Sequence, residues 1–448
     1  MFERITPQLL LASTVLTPGL LLSVLGLGWM VGWTPRESTI ARSAKLAYGF
    51  ATVTVFALLA SMWSAGLHSI SAGKGSWYAV NQFEIPLVLF VDRLSLPLIA
   101  LTVILVGLVV VFSETYLHRD PGFHRFFVLL HLFAFGALLV FSAGSFDLLI
   151  GGWELICVSS ALLVAFFQQR PEPARSAIRV FLTYRICDTG LMIGAFVLHH
   201  LAGSTLYTSV FSNSWPTQSS VMTGGSATLI GLLFLFAAMG KSAQVPFSGW
   251  MPRAMEGPTP SSAIFYGAIS VHVGAYLLLR AQPLLAASPI ASAAVIAVGA
   301  LSAIHGTIVA RACTDAKTSL AYSSISQLGL IFVEIGLGLP WLALIHIAGH
   351  AVVRTLQFLK APSALHEFHE LHAAAGGHLA RTGAHFERLL PAPVQVWLYR
   401  FALDRGHHDA VLDLFAARVV RRLALSMASL ERRLSGPRAP RAERGWNG

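Results

Sequence analysis

Eleven stretches of mainly apolar residues dominate this sequence: 8–31, 45–67, 94–114, 125–144, 146–168, 177–202, 227–247, 261–281, 290–311, 317–338 and 340–360. Each reaches about 20 residues, the length a helix needs to cross a bilayer. Backbone groups in hydrocarbon must be satisfied within the segment, so such runs specify helices. The composition agrees. Only 12% of residues are charged and 55% are hydrophobic, whereas a soluble domain carries roughly 25% charged residues. Mean hydropathy is +0.66. A water-soluble chain of 448 residues would need several domains with solvated faces, and the polar residues to cover them are missing. The expected fold is an all-α polytopic membrane protein of about 11 transmembrane helices.

The cations orient it. One set of alternate loops collects Arg36, Arg42 and Lys45; Arg119 and Arg125; Arg170, Arg175 and Arg179; Arg253; then Arg311 and Lys317. The opposing set has only Lys74, Arg93 and Arg280, and residues 202–226 carry no charge. This places the N-terminus outside and the C-terminus in the cytoplasm of an inner (plasma) membrane. Before the first stretch the only cation is Arg4, and no clear cleavage site follows, so it reads as a retained span rather than a signal peptide. Residues 381–448 hold twelve arginines against six acids. The net charge of +10 therefore reports orientation and docking to membrane lipid, and no nucleic-acid partner is expected.

Three regions follow: N-terminal transmembrane helices (1–84), a core (85–361) and a cytoplasmic His/Arg-rich linker, helix and tail (362–448). In the last, Leu412, Phe415, Val419, Leu423, Met427 and Leu430 recur every three or four residues, with Arg418, Arg421, Arg422, Arg432 and Arg433 mostly elsewhere on the wheel. That pattern over 411–434 is an amphipathic helix, suited to anionic lipid or to a partner. A solvated helix ending in a Pro/Arg tail is the plainer alternative.

Ionisable side chains near the centre of a span cost at least ~2.5–3.5 kcal/mol each, so each is a candidate for function. Those well inside spans are Glu154, Asp188, Lys241, Glu334, His131, His272, His305, His346, His350 and Arg354. Arg185 sits one turn from Asp188, and Asp315 and Lys317 sit at a span's mouth. Glu154 has no cation near it in sequence, so its partner must come from another helix, and Lys241 is the evident one. Buried together, a carboxylate and an amine shift each other's proton affinity, and a moving proton can tip the pair. A purely structural ion pair has the same composition.

From Lys241 the chain runs through Pro246 and Pro252 to Pro258 and Pro260. Proline removes a backbone donor and clashes with the preceding turn, so a helix broken near 241–260 is expected. Broken helices beside buried charge mark ion pathways; a re-entrant turn between ordinary spans is the alternative. His346, His350 and Arg354 fall at i, i+4 and i+8 on one stripe, which suits a proton relay, although a lone intramembrane histidine is more often a satisfied core residue. His366, His369, His372 and His378 lack a cysteine or a convincing carboxylate to complete a metal site. Cys157, Cys187 and Cys313 are scattered, without a CxxC pair. With no Walker A, GxGxxG or CxxCH motif, the chain is expected to hold no metal or cofactor of its own.

Three runs carry a resemblance: GWELICVSSALLVAFF (152–167), KSAQVPFSGWMPRAMEGPTPSSAI (241–264) and TDAKTSLAYSSISQLG (314–329). They resemble the proton-conducting antiporter-like membrane subunits. That family includes NuoL-type subunits of complex I, MrpA/MrpD-type antiporters and the DabB subunit of DAB-type inorganic-carbon accumulation complexes. The resemblance covers roughly 85–365. It places Glu154, Asp188, Lys241, Lys317, His346 and His350 on the family's pathway positions. The chain departs from the family in five places. Arg354 stands where a lysine is usual, and arginine does not readily relay a proton. Tyr266 replaces a histidine after the GPTP run, with His272 a displaced substitute. Glu334 and His305 occupy usually neutral positions. Beyond Leu359 no second broken helix follows.

Of these relatives the DabB-like reading is primary. The resemblance then implies a DabA-type partner carrying a carbonic-anhydrase-like zinc site. Flow of protons or sodium ions through this subunit would drive one-way CO2 hydration in that partner, and this chain would not itself be an enzyme. Glu154 and Lys241 would be the switching pair, Asp188 and Arg185 would tune them, and His346 and His350 would lead toward the membrane midplane. The alternatives are a shortened antiporter-type subunit of a respiratory, hydrogenase or Mrp complex, and a non-conducting scaffold.

Overall fold

The computed structural model describes residues 2–80, 83–313, 315–375 and 390–407, together with 418, 422 and 425–430. Of the described residues 78% are helical. Its helices are α1 (Phe2–Met30), α2 (Glu37–Ser64), α3 (Ser95–Tyr116), α4 (Phe123–Phe141), α5 (Phe146–Val164), α6 (Pro171–Ala202), α7 (Gly224–Lys241), α8 (His272–Arg280), α9 (Pro289–Ala312), α10 (Ala316–Gly336), α11 (Pro340–Ala375) and α12 (Ala392–Leu403). Among the described residues nine helices are long and apolar enough to cross a membrane. The outward faces of the bundle are apolar: Leu20, Leu46, Phe196 and Ile345 are each at least two-thirds exposed. Such a surface suits lipid rather than water.

Local signals set the helix ends. Ser145, Ser288 and Asp315 cap α5, α9 and α10 by accepting the backbone N–H of Leu148, Ala291 and Thr318. Pro171 opens α6, and Gly203, at φ 71°, closes it in the left-handed conformation that glycine adopts without strain.

Two of the eleven expected spans differ from an ordinary apolar helix. Segment 317–338 forms α10 but is the more polar, with Lys317, Thr318, Ser319 and Gln327. It lies close against α9, where Gly299 and Gly329 let the two backbones approach. Segment 261–281 is no continuous helix. One turn (Thr259–Ser262) passes into a π-helical stretch (Ala263–Ala268), and α8 begins only at His272. The interruption thus runs well past residue 260, as short turns and the π-helical stretch rather than one helix fill the segment up to His272.

A hairpin of β1 (Ser69–Val80) and β2 (Phe83–Asp92), antiparallel, stands where the sequence suggested a simple loop. It is tied down by the bonds Phe90 N–H to Ser142 O (2.7 Å) and Gly144 N–H to Val88 O (2.8 Å). Of the amphipathic stretch 411–434, only Arg418, Arg422 and 425–430 are described, all helical. The side chains of His366, His369, His372 and His378 lie outside the described residues. Ahead of that stretch, α12 packs on α9, an element the apolar pattern did not disclose.

Candidate functional site

The polar centre is assembled by α5, α6 and the end of α7. Glu154 and Cys157 lie one turn apart on α5, Arg185 and Asp188 one turn apart on α6, and Lys241 is the last residue of α7. The lysine is fully buried. Its Nζ sits 4.5 Å from the centre of the Tyr184 ring and 5.3 Å from that of Trp153, which gives a buried ammonium two π faces. Close approach of α7 to α6 depends on Gly240, where a Cβ would lie 2.3 Å from that of Cys187.

One chain of hydrogen bonds links these groups. Lys241 Nζ donates to Cys157 Sγ at 2.9 Å, and Cys157 donates to Asp188 Oδ2 at 3.4 Å. Trp153 Nε1 donates to Asp188 Oδ1 at 2.5 Å. Arg185 Nη2 then bridges Asp188 Oδ2 (2.7 Å) and Glu154 Oε2 (2.5 Å). Glu154 therefore does pair with another helix, but its partner is Arg185 and not Lys241. Among the described residues no ion pair joins Glu154 to Lys241. The reason is geometric: a guanidinium offers several donors in one plane, so a single arginine serves both carboxylates, while the thiol of Cys157 fills the space toward the lysine.

Glu154, Cys157 and Asp188 place donor atoms within 4.8 Å of one another, a set that by type could take a metal. Arg185 and Lys241 already lie on those atoms, so a metal would have to displace two cations. The set is better suited to exchanging protons.

The broken segment closes its freed backbone groups with side chains, as membrane depth requires. Trp250 Nε1 donates to Gly240 O (2.9 Å), Ser242 Oγ to Val271 O (2.6 Å), and Val245 N–H to Ser302 Oγ (3.0 Å). The bond from Ser242 to Val271 holds the residue after Lys241 against the residue before His272. Gly274 makes this approach possible, since a Cβ there would lie 2.3 Å from Ser242 Oγ.

His272 and His350 share a hydrogen bond of 2.8 Å between Nε2 and Nδ1, both rings buried. One turn earlier on α11, His346 is held by Glu334 (2.8 Å) and Gln327 (3.0 Å). Glu334, although at an unusual position, is thus joined to the histidine stripe. Arg354 bonds Gln357 on its own helix at 2.8 Å. Lys317 donates to Thr259 Oγ1 at 3.0 Å, and Thr259 meets Tyr116 Oη at 3.1 Å; Asp315 is spent on capping α10.

Sequence reasoning missed Cys157 as a link, Trp153 and Tyr184 as the lysine's walls, and Gln327. It also treated Arg280 as a loop cation. Arg280 is instead fully buried and grips Asp92 with two bonds, of 2.7 and 3.1 Å. Burial pushes the Asp92 carboxyl up, but the adjacent Arg280 and the donors of Ser95 more than reverse this and hold it below the usual carboxylate range. A signal existed: Arg280 is the one cation between Arg253 and Arg311, and Asp92 the one acid between Glu84 and Glu114.

Comparison with known proteins converges on the same segments. Residues 143–382 match the model of the NADH:quinone oxidoreductase/Mrp antiporter transmembrane family, and residues 77–127 match that of the complex I chain 5 N-terminus. The chain is 37% identical to NADH-ubiquinone oxidoreductase chain 5 of Neurospora crassa over 275 residues, covering 61% of this chain and 38% of that one. It is 36% identical to NADH-quinone oxidoreductase subunit L of Campylobacter jejuni, covering 66% and 48%. In three dimensions it is similar to a chain of the Mrp complex from Dietzia sp., with a TM-score of 0.63 at 26% identity, covering 80% of this chain and 37% of that one. The chain spans half or less of the length of these relatives.

Proposed function

This chain belongs to the NADH:quinone oxidoreductase/Mrp antiporter transmembrane family, and from that premise we propose that it is the proton-conducting membrane subunit of a larger complex. The observation that carries this reading is the unbroken hydrogen-bonded chain from Lys241 through Cys157, Asp188 and Arg185 to Glu154. An added proton at one end changes the balance of charge along the whole chain: Lys241, Asp188 and Glu154 set one another's protonation, while Arg185 stays cationic between the two carboxylates. The Ser242–Val271 contact holds His272 and its partner His350 beside the break, and His346, bonded to Glu334, lies one turn from His350 on α11. Arg354 holds a fixed positive charge beyond them, a stabiliser rather than a carrier. Protons suit this route better than sodium ions, which need a cage of oxygen ligands; here both carboxylates of the first cluster are held by cations.

The complex it serves, on the sequence resemblance, is an inorganic-carbon accumulating one. Its partner is a DabA-like subunit with a carbonic-anhydrase-like zinc site, and proton flow makes hydration of CO2 to bicarbonate one-way. Catalysis belongs to that partner. The alternative is a shortened proton-translocating subunit of a respiratory, hydrogenase or Mrp assembly.

The experiment is purification of the tagged full chain from its native membrane with whatever it binds. A large zinc-containing partner, and growth at ambient CO2 that Lys241→Ala or Glu154→Gln abolishes at normal abundance, support the reading. Recovery with further hydrophobic respiratory subunits, and growth indifferent to CO2, refutes the carbon assignment and favours the alternative.

A further inference from the structure

The polar route does not stop at His272. α8 carries His272, Tyr276 and Arg280 at i, i+4 and i+8, so the three lie along one face of that helix, and all are buried. At the far end Arg280 grips Asp92 through both carboxylate oxygens and donates to Tyr276 Oη at 3.2 Å. Tyr276 Oη in turn donates to Phe141 O at 3.3 Å. The rings of Tyr207 and Phe90 close round the guanidinium at 4.8 and 5.6 Å. Beyond Asp92, on the hairpin side, lies a cavity of about 330 Å³ lined by Asp92 itself and by His68, Arg93, Leu96 and Trp341. His68 and Arg93 are joined at 2.9 Å at the exposed surface.

A protonated guanidinium neither gives up nor takes on a proton in a protein. In a low-dielectric setting it also repels any proton that approaches. Resting on the proton-conduction reading above, we propose that the Asp92–Arg280 pair is the gate of the polar route on the hairpin side. Closed, the pair separates the His272–Tyr276 face from the cavity. Parted, it opens the Tyr276 hydroxyl to water from the cavity. The His272 imidazolium then loses a proton, the Tyr276 hydroxyl passes one on as it receives one, and water entering from the cavity takes it up. Arg280 stays cationic throughout.

The test uses the full chain in its native complex, reconstituted in liposomes with an internal pH-sensitive dye and a potassium–valinomycin potential. Asp92→Asn combined with Arg280→Gln substitutes a neutral pair of similar shape. It leaves no stranded buried ion, which either single change would create. The gate predicts passive proton flux at least about tenfold above wild type, since a buried charge barrier is gone, and return to background when Lys241→Ala is added. A double variant with wild-type yield and melting temperature that leaks no more than wild type overturns the gate, as does a leak that ignores Lys241→Ala. Arg280→Lys keeps the charge but loses the two-point grip, so it gives a smaller rise; unchanged flux in it also overturns the gate. If wild type shows Lys241-dependent flux and these variants change nothing, the gate alone fails. If no form shows Lys241-dependent flux, the conduction reading fails and the gate falls with it.

Discussion

Arg185 carries more of the site than its place beside Asp188 suggested, because one of its nitrogens touches both carboxylates. Arg185→Gln strands Asp188, which is almost wholly buried. The expected loss is about 3 kcal/mol, the low end for a stranded buried ion, because Arg185 keeps a third of its side chain exposed. Arg185→Lys, with one ammonium for two carboxylates, falls between wild type and Arg185→Gln. Thermal melts of the purified complex rank the three, and equal melting temperatures would show that the bridge stabilises nothing. Cys157 gives a second prediction. Cys157→Ala cuts the link from Lys241 to Asp188, whereas Cys157→Ser restores a donor and acceptor in place, so flux falls in the first and is largely retained in the second. Asp92 gives a third, in pH. Its proton affinity is depressed in the folded state, so its pairing with Arg280 stabilises the fold fully above the ordinary carboxylate value of about 4. That contribution is lost as pH falls through the lower folded value. Melting temperature of wild type should drop more steeply over that acid range than that of the neutral Asp92→Asn, Arg280→Gln variant.

Among the elements, the broken segment between α7 and α8 decides whether the two clusters communicate. Gly274 and Gly267 let it sit against its neighbours: a Cβ at Gly274 would meet Ser242 Oγ, and one at Gly267 would lie 2.5 Å from the backbone nitrogen of Thr355 on α11. Gly274→Ala should therefore push α8 away from Lys241 and cost about 1–3 kcal/mol, the range for overpacking. It should slow proton flux without touching an ionisable group, and a variant with unchanged flux would argue against the contact. Much of this element level was legible in the sequence. Apolar runs long enough to span gave the helices, and Pro246, Pro252, Pro258 and Pro260 marked the break. Its extension through the π-helical stretch to His272 was not legible, because no proline or glycine pattern marks where a helix regains its hydrogen bonds. The β1–β2 hairpin was hidden by its short apolar content. The membership of the first cluster was legible from Glu154, Asp188 and Lys241, since charge inside a span is conspicuous. Its pairing was not, because partners on different helices are chosen by packing, and a thiol such as Cys157 carries no charge to announce itself.

At the scale of the molecule, the outer faces of the bundle are apolar and suit lipid, and on the proposed reading its few buried charges form one route. That route runs from the Glu154–Lys241 cluster past the break to the paired histidines. From there it goes toward Glu334 along α11 and toward the Asp92–Arg280 pair along α8. Because Arg185 holds both carboxylates of the first cluster, transport should follow the proton gradient and be indifferent to replacing sodium by potassium. A strict sodium requirement would contradict the proton assignment. The most direct test of the central claim is potential-driven proton flux through the reconstituted complex, comparing wild type with Lys241→Ala at matched protein recovery. The account predicts a fall of about 100-fold or more, the contribution of a positioned proton-transfer group; wild-type flux in a correctly assembled Lys241→Ala complex would contradict it.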